Sequence, residues 1–492
     1  MGSSPPSVTL ADAAAAAAVH VSVSRHGPDV AVSDVHMDSR AVTPGSIYVA
    51  IRGARADGHD FIGAALERGA VALVVDRPVD YDMPYLLTQD TRAALGWVAA
   101  AVHGWPADLL DLIGITGTNG KTTVAHMLAA MAGASGREMA VIGTVSANLD
   151  DLDGSPRTTP EASDLQRMLR HLAERGRITD VAIEVSSHAM EMGRINGTRF
   201  GTVAFTNLSQ DHLDYHETME QYFAAKAKLF QEHWAPHGVI WTGDEWSERL
   251  ASESAIPVVR VGAGSGNDVS VTYREDTPTG SSFDISIGDR TRSVRTALAG
   301  RFNVANAAVA LTCAHLHGWD MDGCVERLAA MQPIPGRYNT IANEFGFWVV
   351  VDYAHSPDSM EATIAETRKL VSGKIIAIGG AGGDRDQEKR PLMGAALALA
   401  DTTIITTDNP RSEDPHLIEQ QVLAGIAERS NVVVEPDRRL AIRDGLSAAK
   451  PGDAVLILGK GHETGQEFAD VTLPFDDATV ATEELRRLGN QR

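Results

Sequence analysis

Leu112-Ile113-Gly114-Ile115-Thr116-Gly117-Thr118-Asn119-Gly120-Lys121-Thr122-Thr123 reads as an apolar strand, a glycine turn and the opening of a helix that Val124-Ala125-His126-Met127-Leu128-Ala129-Ala130-Met131 continues. That order of elements is what a phosphate-binding loop needs. Glycines let backbone N–H groups curl around a polyphosphate, and the helix N-terminus adds partial positive charge. Lys121 would reach the outer phosphates, and the Thr122 hydroxyl would ligate Mg²⁺. The general pattern wants glycine five positions before Gly120, where Ile115 stands, so this loop is tighter. The candidates for ATP binding here are Gly117, Thr118, Asn119, Gly120, Lys121, Thr122 and Thr123. The stretch alone predicts binding of ATP or GTP and leaves open what the energy is used for.

Working outward, 492 residues are too many for one ordinary core, so two to four domains are expected. A net charge of −22 argues against general affinity for nucleic acid or anionic membranes, which need a basic surface. An anionic small substrate needs only a local basic pocket. Cys313 and Cys324 have neither metal-ligand spacing nor the number for a disulfide framework, which fits a reducing cytoplasm. No stretch is long and apolar enough to span a bilayer. The Ala13–Ala18 run lacks the basic start and apolar middle of a signal peptide and reads as an ordinary helix.

Three units are expected: 1–104, a small α/β unit; 105–333, a phosphate-loop α/β unit; and 334–492, a doubly wound Rossmann-like unit. In the first, Ile47–Ile51 and Val71–Val75 read as strands around a helix that Gly69 stops. Ser39 and Arg40 lie in a polar loop ending in Pro44-Gly45 and could hold a phosphate or simply turn. His103-Gly104-Trp105-Pro106 reads as a linker.

In the second unit a polar loop over Ala147–Arg157 leads to Thr158-Thr159-Pro160, with Pro160 expected near the first turn of a helix over Ala162–Glu174. Val181–Val185 is a buried strand carrying Glu184, and an acidic residue at the tip of a strand beside a phosphate loop is placed for Mg²⁺. A solvated strand-end glutamate is the plainer reading. His212 and His216 are four apart, facing together if helical, but a third zinc ligand is missing at a helpful spacing. Lys226 and Lys228 read as a solvated helix face, and Asn303 and Asn306 as two amides on one face, able to read a purine edge or to cap.

The third unit alternates strands and helices, with strands at Trp348–Val351, Lys374–Ile378, Thr403–Thr406, Val432–Val434 and Val455–Leu458, the pattern of a parallel, doubly wound sheet. Gly379–Arg385 mimics a dinucleotide fingerprint but places Arg385 where the third glycine belongs. Ligands collect at the carboxyl ends of strands in such sheets. Those ends carry Asp352 and His355, Asp384 and Arg385, Asp408-Asn409-Pro410-Arg411, and Gly459-Lys460-Gly461-His462-Glu463, so a second binding site is expected there.

Taken in order, these motifs resemble the Mur ligase family over essentially the whole chain, and within it the members that add meso-diaminopimelate. The resemblance rests on Asp38-Ser39-Arg40, Thr116–Thr123, Thr158-Thr159-Pro160, Glu184–His188, Asp211-His212-Leu213-Asp214, Asp352-Tyr353-Ala354-His355, Asp408–Arg411 and Gly459–Glu463. It implies an ATP-dependent amide ligase of peptidoglycan precursor synthesis. The D-Glu side-chain carboxylate of UDP-MurNAc-L-Ala-D-Glu would be phosphorylated by ATP, and the amine of meso-diaminopimelate would attack the acyl phosphate. It implies Lys121, Glu184, His212 and Lys226 as catalytic, and Thr122, Glu184, His212 and Lys226 as holding two Mg²⁺ ions, with Lys226 carbamylated by CO₂.

The same resemblance implies that Asn303, Asn306, Arg337, Asp352 and His355 join the phosphate loop in binding ATP. It gives Ser39, Thr158, Thr159, Ser186 and Arg194 to the UDP substrate, and Arg385, Asp408, Asn409, Arg411, Gly459 and Glu463 to the amino acid. Arg411 suits an acceptor with a distal carboxylate, which it can pair through two N–H groups. Met192 stands where many relatives have glutamine, and Tyr338-Asn339 where many have an apolar residue and glutamate. The alternatives are the same chemistry with L-lysine or another amino acid or muropeptide, and a non-catalytic nucleotide-binding protein. The expected protein is a cytoplasmic monomer with no nucleic-acid partner and no membrane insertion.

Overall fold

In the computed structural model of the chain, the described residues are 8–490, save 54–55, 150–151, 153–154, 156, 265, 278–279 and the side chain of 214. Three large sheets follow one another along the chain. The first has five strands in the order Val23–His26, Tyr85–Thr88, Ala72–Val75, Ser46–Val49 and Asp34–His36. Helices Leu10–Ala17 and Thr91–Val102 cover one face, and their alanine-rich stripes close over Leu10, Val35, Ile47 and Val98. Thr9 begins the first of these helices with a reciprocal cap to Asp12, as expected of an ordinary helix.

The second sheet has nine strands, with Asp111–Thr116 between Asp180–Glu184 and Thr202–Phe205. All three run parallel, so the turn after Thr116, the tip carrying Glu184 and the loop after Phe205 meet at one edge. Helices Lys121–Ala132 and Arg301–Leu316 pack over one face. The third sheet is parallel over Trp348–Asp352, Ala454–Leu458, Ile375–Gly379, Thr402–Ile405 and Val432–Val434, with the short antiparallel strand Asn339–Thr340 at its edge. This is the doubly wound sheet that the alternating pattern predicts.

One local expectation is met and one needs correction. Pro160 precedes Glu161, the cap of helix Ala162–Arg175, and so lies next to the first turn. Its own φ is fixed, which suits the extended entry to the cap as well as a first helical residue. His212 is itself the left-handed cap (φ 54°) of the four-residue helix Leu213–His216, so it does not share a helix face with His216. Part of the loop predicted over Ala147–Arg157 lies outside the described residues.

The first and second units meet around Asp34. Arg167 donates to both its oxygens, at 3.1 and 3.0 Å, and His36 and His103 each stand 3.2 Å away. Burial alone would raise the Asp34 carboxyl, but the adjoining His103 and His36 and the hydrogen-bonded Arg167 guanidinium outweigh it and hold it far below the usual carboxylate range. A depressed folded pKa stabilises above the unfolded value and is lost as pH falls through the folded one. Asp34→Asn is therefore expected to lower unfolding free energy by about 2–3 kcal/mol throughout the neutral range. Urea titration at pH 6 and pH 8 checks this, and a difference that vanishes at either would refute it.

Candidate nucleotide and ligase site

Gly117 and Gly120 both adopt positive φ, 141° and 88°, which only glycine takes without strain. A Cβ on Gly120 would overlap the Asn306 amide oxygen. Gly120→Ala is expected to raise the KM for ATP about tenfold or more with little change in melting temperature. An unchanged KM would mean that the turn does not hold the nucleotide.

Two lysines converge on the turn. Lys121 Nζ donates to the carbonyls of Gly117 and Thr118, both at 2.9 Å. Lys226 Nζ donates to the same Gly117 carbonyl at 2.8 Å and lies 4.6 Å from the centre of the Tyr222 ring. The side chain of Lys226 is buried, which corrects the solvated-face reading, whereas Lys228 is exposed and pairs with Glu191 as such a face does. Neither Lys121 nor Lys226 has a carboxylate within ion-pair distance among the described residues. Desolvation pushes the Lys226 ammonium well below its ordinary value, and the charge of Lys121 pushes it the same way. Desolvation lowers Lys121 too, opposed by Glu184.

Glu184 is fully buried at the tip of its strand, so it is no solvated strand-end residue. One oxygen accepts from the Thr144 backbone at 2.9 Å and the other from the Thr122 hydroxyl at 3.0 Å. Arg337, from the third unit, also donates to the Thr122 hydroxyl at 3.0 Å and lies over Tyr353, while its buried Nε has no partner among the described residues. His212 lies beyond the loop after Phe205, with Nε2 3.6 Å from Asp211. Desolvation brings its pKa down to about 3 against the pull of Asp211, so the imidazole is neutral with a free lone pair at pH 7. His216 instead meets Ser187 Oγ at 2.9 Å, and both rings contact His188.

A cavity of about 380 Å³ opens beside the turn, between the second and third units. Asn119, Gly120, Asn303, Asn306, Arg337 and Asp352 contribute to its wall. Asn306 Nδ2 donates to Asn303 Oδ1 at 3.3 Å, and Asn303 caps back to Ala299. Asp352 accepts the backbone N–H groups of Tyr338 and Ala354 at 2.6 and 2.9 Å. Burial raises its carboxyl despite those bonds, and burial lowers His355. Tyr338 is buried in the third unit with its hydroxyl on Thr367, so this departure from the family pattern serves packing.

Thr158, Thr159, Ser186 and Arg194 form one cluster behind Glu184. Thr159 Oγ1 donates to the Glu184 carbonyl at 2.7 Å and accepts from the Ser186 N–H at 3.1 Å, and Thr158 meets Thr144 at 3.0 Å. Arg194 reaches the Thr159 carbonyl, Glu161 and, at 3.3 Å, the thioether of Met192. Ser39 is buried in the first unit, away from this cluster's hydrogen bonds among the described residues, and Arg40 is exposed and forked onto Asp38.

At the strand ends of the third unit, Asn409 Nδ2 donates to Glu463 at 2.7 Å, and the buried Lys460 bonds both Asn409 and Glu463. Asp408 lies against Gly459, whose φ of 112° leaves room for it. Arg411 pairs with Glu467 at 2.7 Å and donates to the Gly383 carbonyl. Arg385 lines a separate open cleft with Asp384 and Gln210. Sequence reading passed over Tyr222, Tyr353 and Lys460 as site formers. The first two look like core aromatics, but a lysine between two strand-end glycines was a readable signal.

A phosphate loop with one buried and one half-buried lysine outside any ion pair, a carboxylate beside its threonine and a second polar cluster on a following doubly wound unit defines a nucleotide-dependent α/β protein built to bring two ligands together. Family models agree: "Mur ligase family, catalytic domain" matches 31–103, "Mur ligase middle domain" 115–314, and "Mur ligase, glutamate ligase domain" 336–461. The chain is 42% identical over 456 residues to the UDP-N-acetylmuramoyl-L-alanyl-D-glutamate–2,6-diaminopimelate ligase of Aquifex aeolicus (strain VF5), covering 92% of this chain and 94% of the relative. It is 41% identical over 474 residues to the protein of the same name from Streptomyces coelicolor, covering 93% of each. This chain belongs to the Mur ligase family.

A solved structure of a ligase of that name, 32% identical, superposes with a TM-score of 0.66 over 93% of this chain and 96% of that one. A MurF ligase from Thermotoga maritima in complex with ADP shares the fold at 19% identity, TM-score 0.65, covering 94% of this chain and 99% of that one. Among the described residues, no helix is long and apolar enough to cross a membrane.

Proposed function

We propose that the protein is an ATP-dependent amide ligase that joins meso-diaminopimelate to the D-Glu side-chain carboxylate of UDP-MurNAc-L-Ala-D-Glu in peptidoglycan precursor synthesis. The observation that carries this is the convergence of Lys121 and the buried Lys226 on the Gly117 carbonyl, beside a buried Glu184 that accepts from the Thr122 hydroxyl. The name the relatives carry supplies the substrates. In this reading the 1–104 unit and the Thr158–Arg194 cluster hold the UDP substrate. The 105–333 unit holds ATP, and the 334–492 unit the amino acid, with Asn409 and Glu463 at its ammonium, Asp408 and Gly459 beside them, and Arg385 approaching from the adjoining cleft.

A carboxylate is a poor acyl donor, so it must first take a phosphoryl group. Its oxygen attacks the γ-phosphorus, the bond to the β-bridging oxygen breaks and ADP leaves. The acceptor's neutral amine then attacks the acyl carbon, the C–O bond to phosphate breaks, and the amine loses a proton. Lys121 and Arg337 stabilise charge on the transferring phosphoryl group. Asn303, Asn306, Asp352 and His355 seat the nucleoside. The donor set suits Mg²⁺: Thr122 Oγ1 and Glu184 Oε2 are hard oxygens 3.0 Å apart, and His212 is neutral. Thr122, Glu184, His212 and a carbamate on Lys226 would hold two such ions. Bound there, Mg²⁺ would screen the approach of two anions.

The test is phosphate release from ATP with purified protein, Mg²⁺ and UDP-MurNAc-L-Ala-D-Glu, comparing meso-diaminopimelate, L-lysine and no acceptor. Tripeptide product with diaminopimelate alone is the expected result. Product with lysine only would assign a different acceptor, and no product with either would overturn the reading.

A further inference from the structure

Lys389 is the first residue of helix Lys389–Leu397 in the third unit. A cation is disfavoured at that end of a helix, where the backbone dipole is already positive. Its neighbour Arg390 resolves the same conflict within the unit, forked onto Glu413. Lys389 does not. It reaches across to the second unit, its Nζ 3.3 Å from Asp211 Oδ1, with side-chain exposures of only 16% and 7%. The same Asp211 oxygen accepts the His212 backbone N–H at 2.9 Å. That bond props up the left-handed His212, a backbone conformation a histidine seldom takes without support. A cleft of about 600 Å³ opens nearby, walled by Gln210, Leu213 and Glu217 on one unit and Asp384, Arg385 and Gln387 on the other. Cleft, ion pair and His212 therefore lie along one seam between the units.

We propose that Lys389 is a positioning residue: its ion pair with Asp211 latches the third unit onto the second, setting the His212 turn and shutting water out while the acyl phosphate waits for the amine. The role of the latch in catalysis rests on the ligase reading above. Neither Lys389 nor Asp211 is among the residues assigned above to nucleotide, UDP substrate or amino acid. Its effect is on closure and geometry. When the latch is broken, water attacks the acyl carbon, the C–O bond to phosphate breaks, and the carboxylate and phosphate return with ATP spent and no amide made.

The experiment compares wild type, Lys389→Met and Lys389→Arg in the presence of Mg²⁺, reading phosphate released per amide formed, KM for each substrate and melting temperature. Wild type and Lys389→Arg are expected near one phosphate per amide. Lys389→Met is expected to release about threefold or more phosphate per amide and to raise the KM for the amino acid about tenfold, with the KM for ATP within about twofold. A one-to-one ratio in Lys389→Met overturns the latch, whatever happens to kcat. If Lys389→Met does not fold, Lys389→Gln takes its place, and failure of both assigns the pair to stability and overturns the proposal.

Small-angle scattering with a non-hydrolysable ATP analogue separates the latch from the ligase reading. Contraction in wild type that is lost in Lys389→Met supports the latch even if no amide forms. Equal behaviour of the two overturns it, and an inactive wild type by itself overturns only the ligase reading.

Discussion

Lys226→Ala is expected to lower kcat by about three orders of magnitude while leaving melting temperature nearly unchanged. The amine it removes is buried, bonded to one carbonyl and placed over a ring. Two ammonium groups on one carbonyl with no acid in ion-pair contact is an arrangement that burial and mutual repulsion both oppose, and Lys226 yields, its pKa pushed well down by desolvation and by Lys121 against the weaker pull of Asp211. A neutral amine is the form that attacks CO₂: the N–C bond forms, a proton leaves, and a cation-bearing side chain becomes an anion. That anion would balance Lys121 and complete the oxygen donors around Thr122 and Glu184.

The expectation extends to the wild type. Activity after exhaustive removal of CO₂ should fall and return with bicarbonate, whereas the alanine variant should not respond to bicarbonate. Full activity of Lys226→Ala without bicarbonate would remove the carbamate from the mechanism. The sign of the pH effect follows from the same shift: because desolvation and Lys121 lower the folded pKa, the reactive amine is more abundant at neutral pH than in an ordinary lysine. The bicarbonate response should therefore already be seen at pH 7, where an ordinary lysine is almost wholly protonated.

How much of this could be read from the chain alone depended on sequence distance. Strand, turn and helix around Gly117–Lys121 are local, and periodicity with glycine placement fixed them. The parallel third sheet was equally readable because each strand is a short apolar run with its own turn. Lys226 was not. It lies 109 residues from Gly117, and its helix carries the same polar spacing whether the lysine faces water or a carbonyl. Only the family resemblance marked it out. His212 and His216 misled through their spacing, since four apart implies one helix face only if both are helical, and the left-handed His212 breaks that condition. Lys389 and Asp211 fell outside any local signal, because an ion pair between units has no period.

Arg411→Ala should reduce the preference for meso-diaminopimelate over L-lysine about a hundredfold, chiefly through the KM for diaminopimelate, with the KM for ATP unaffected. The side chain is prepared for a carboxylate. Its Nε is held by Glu467 at 2.7 Å and its Nη1 by the Gly383 carbonyl at 2.9 Å, while Nη2 has no bond to a described residue. Gly382 leaves space beside Nη1 that a side chain would crowd. A guanidinium held at Nε and Nη1 and open at Nη2 can receive a distal carboxylate without losing rotamer freedom on binding, which is where much affinity is otherwise lost.

L-Lysine lacks that carboxylate. Binding it would bury the open edge of Arg411 without a partner, so the same residue both attracts one acceptor and rejects the other. Arg411→Lys separates charge from geometry: it keeps the cation but offers a point charge in place of a planar fork, and should recover only part of the preference. Full recovery by lysine would make the effect simple electrostatics. A preference unchanged in Arg411→Ala would move the recognition of the distal centre to Arg385, across the cleft that the second and third units share.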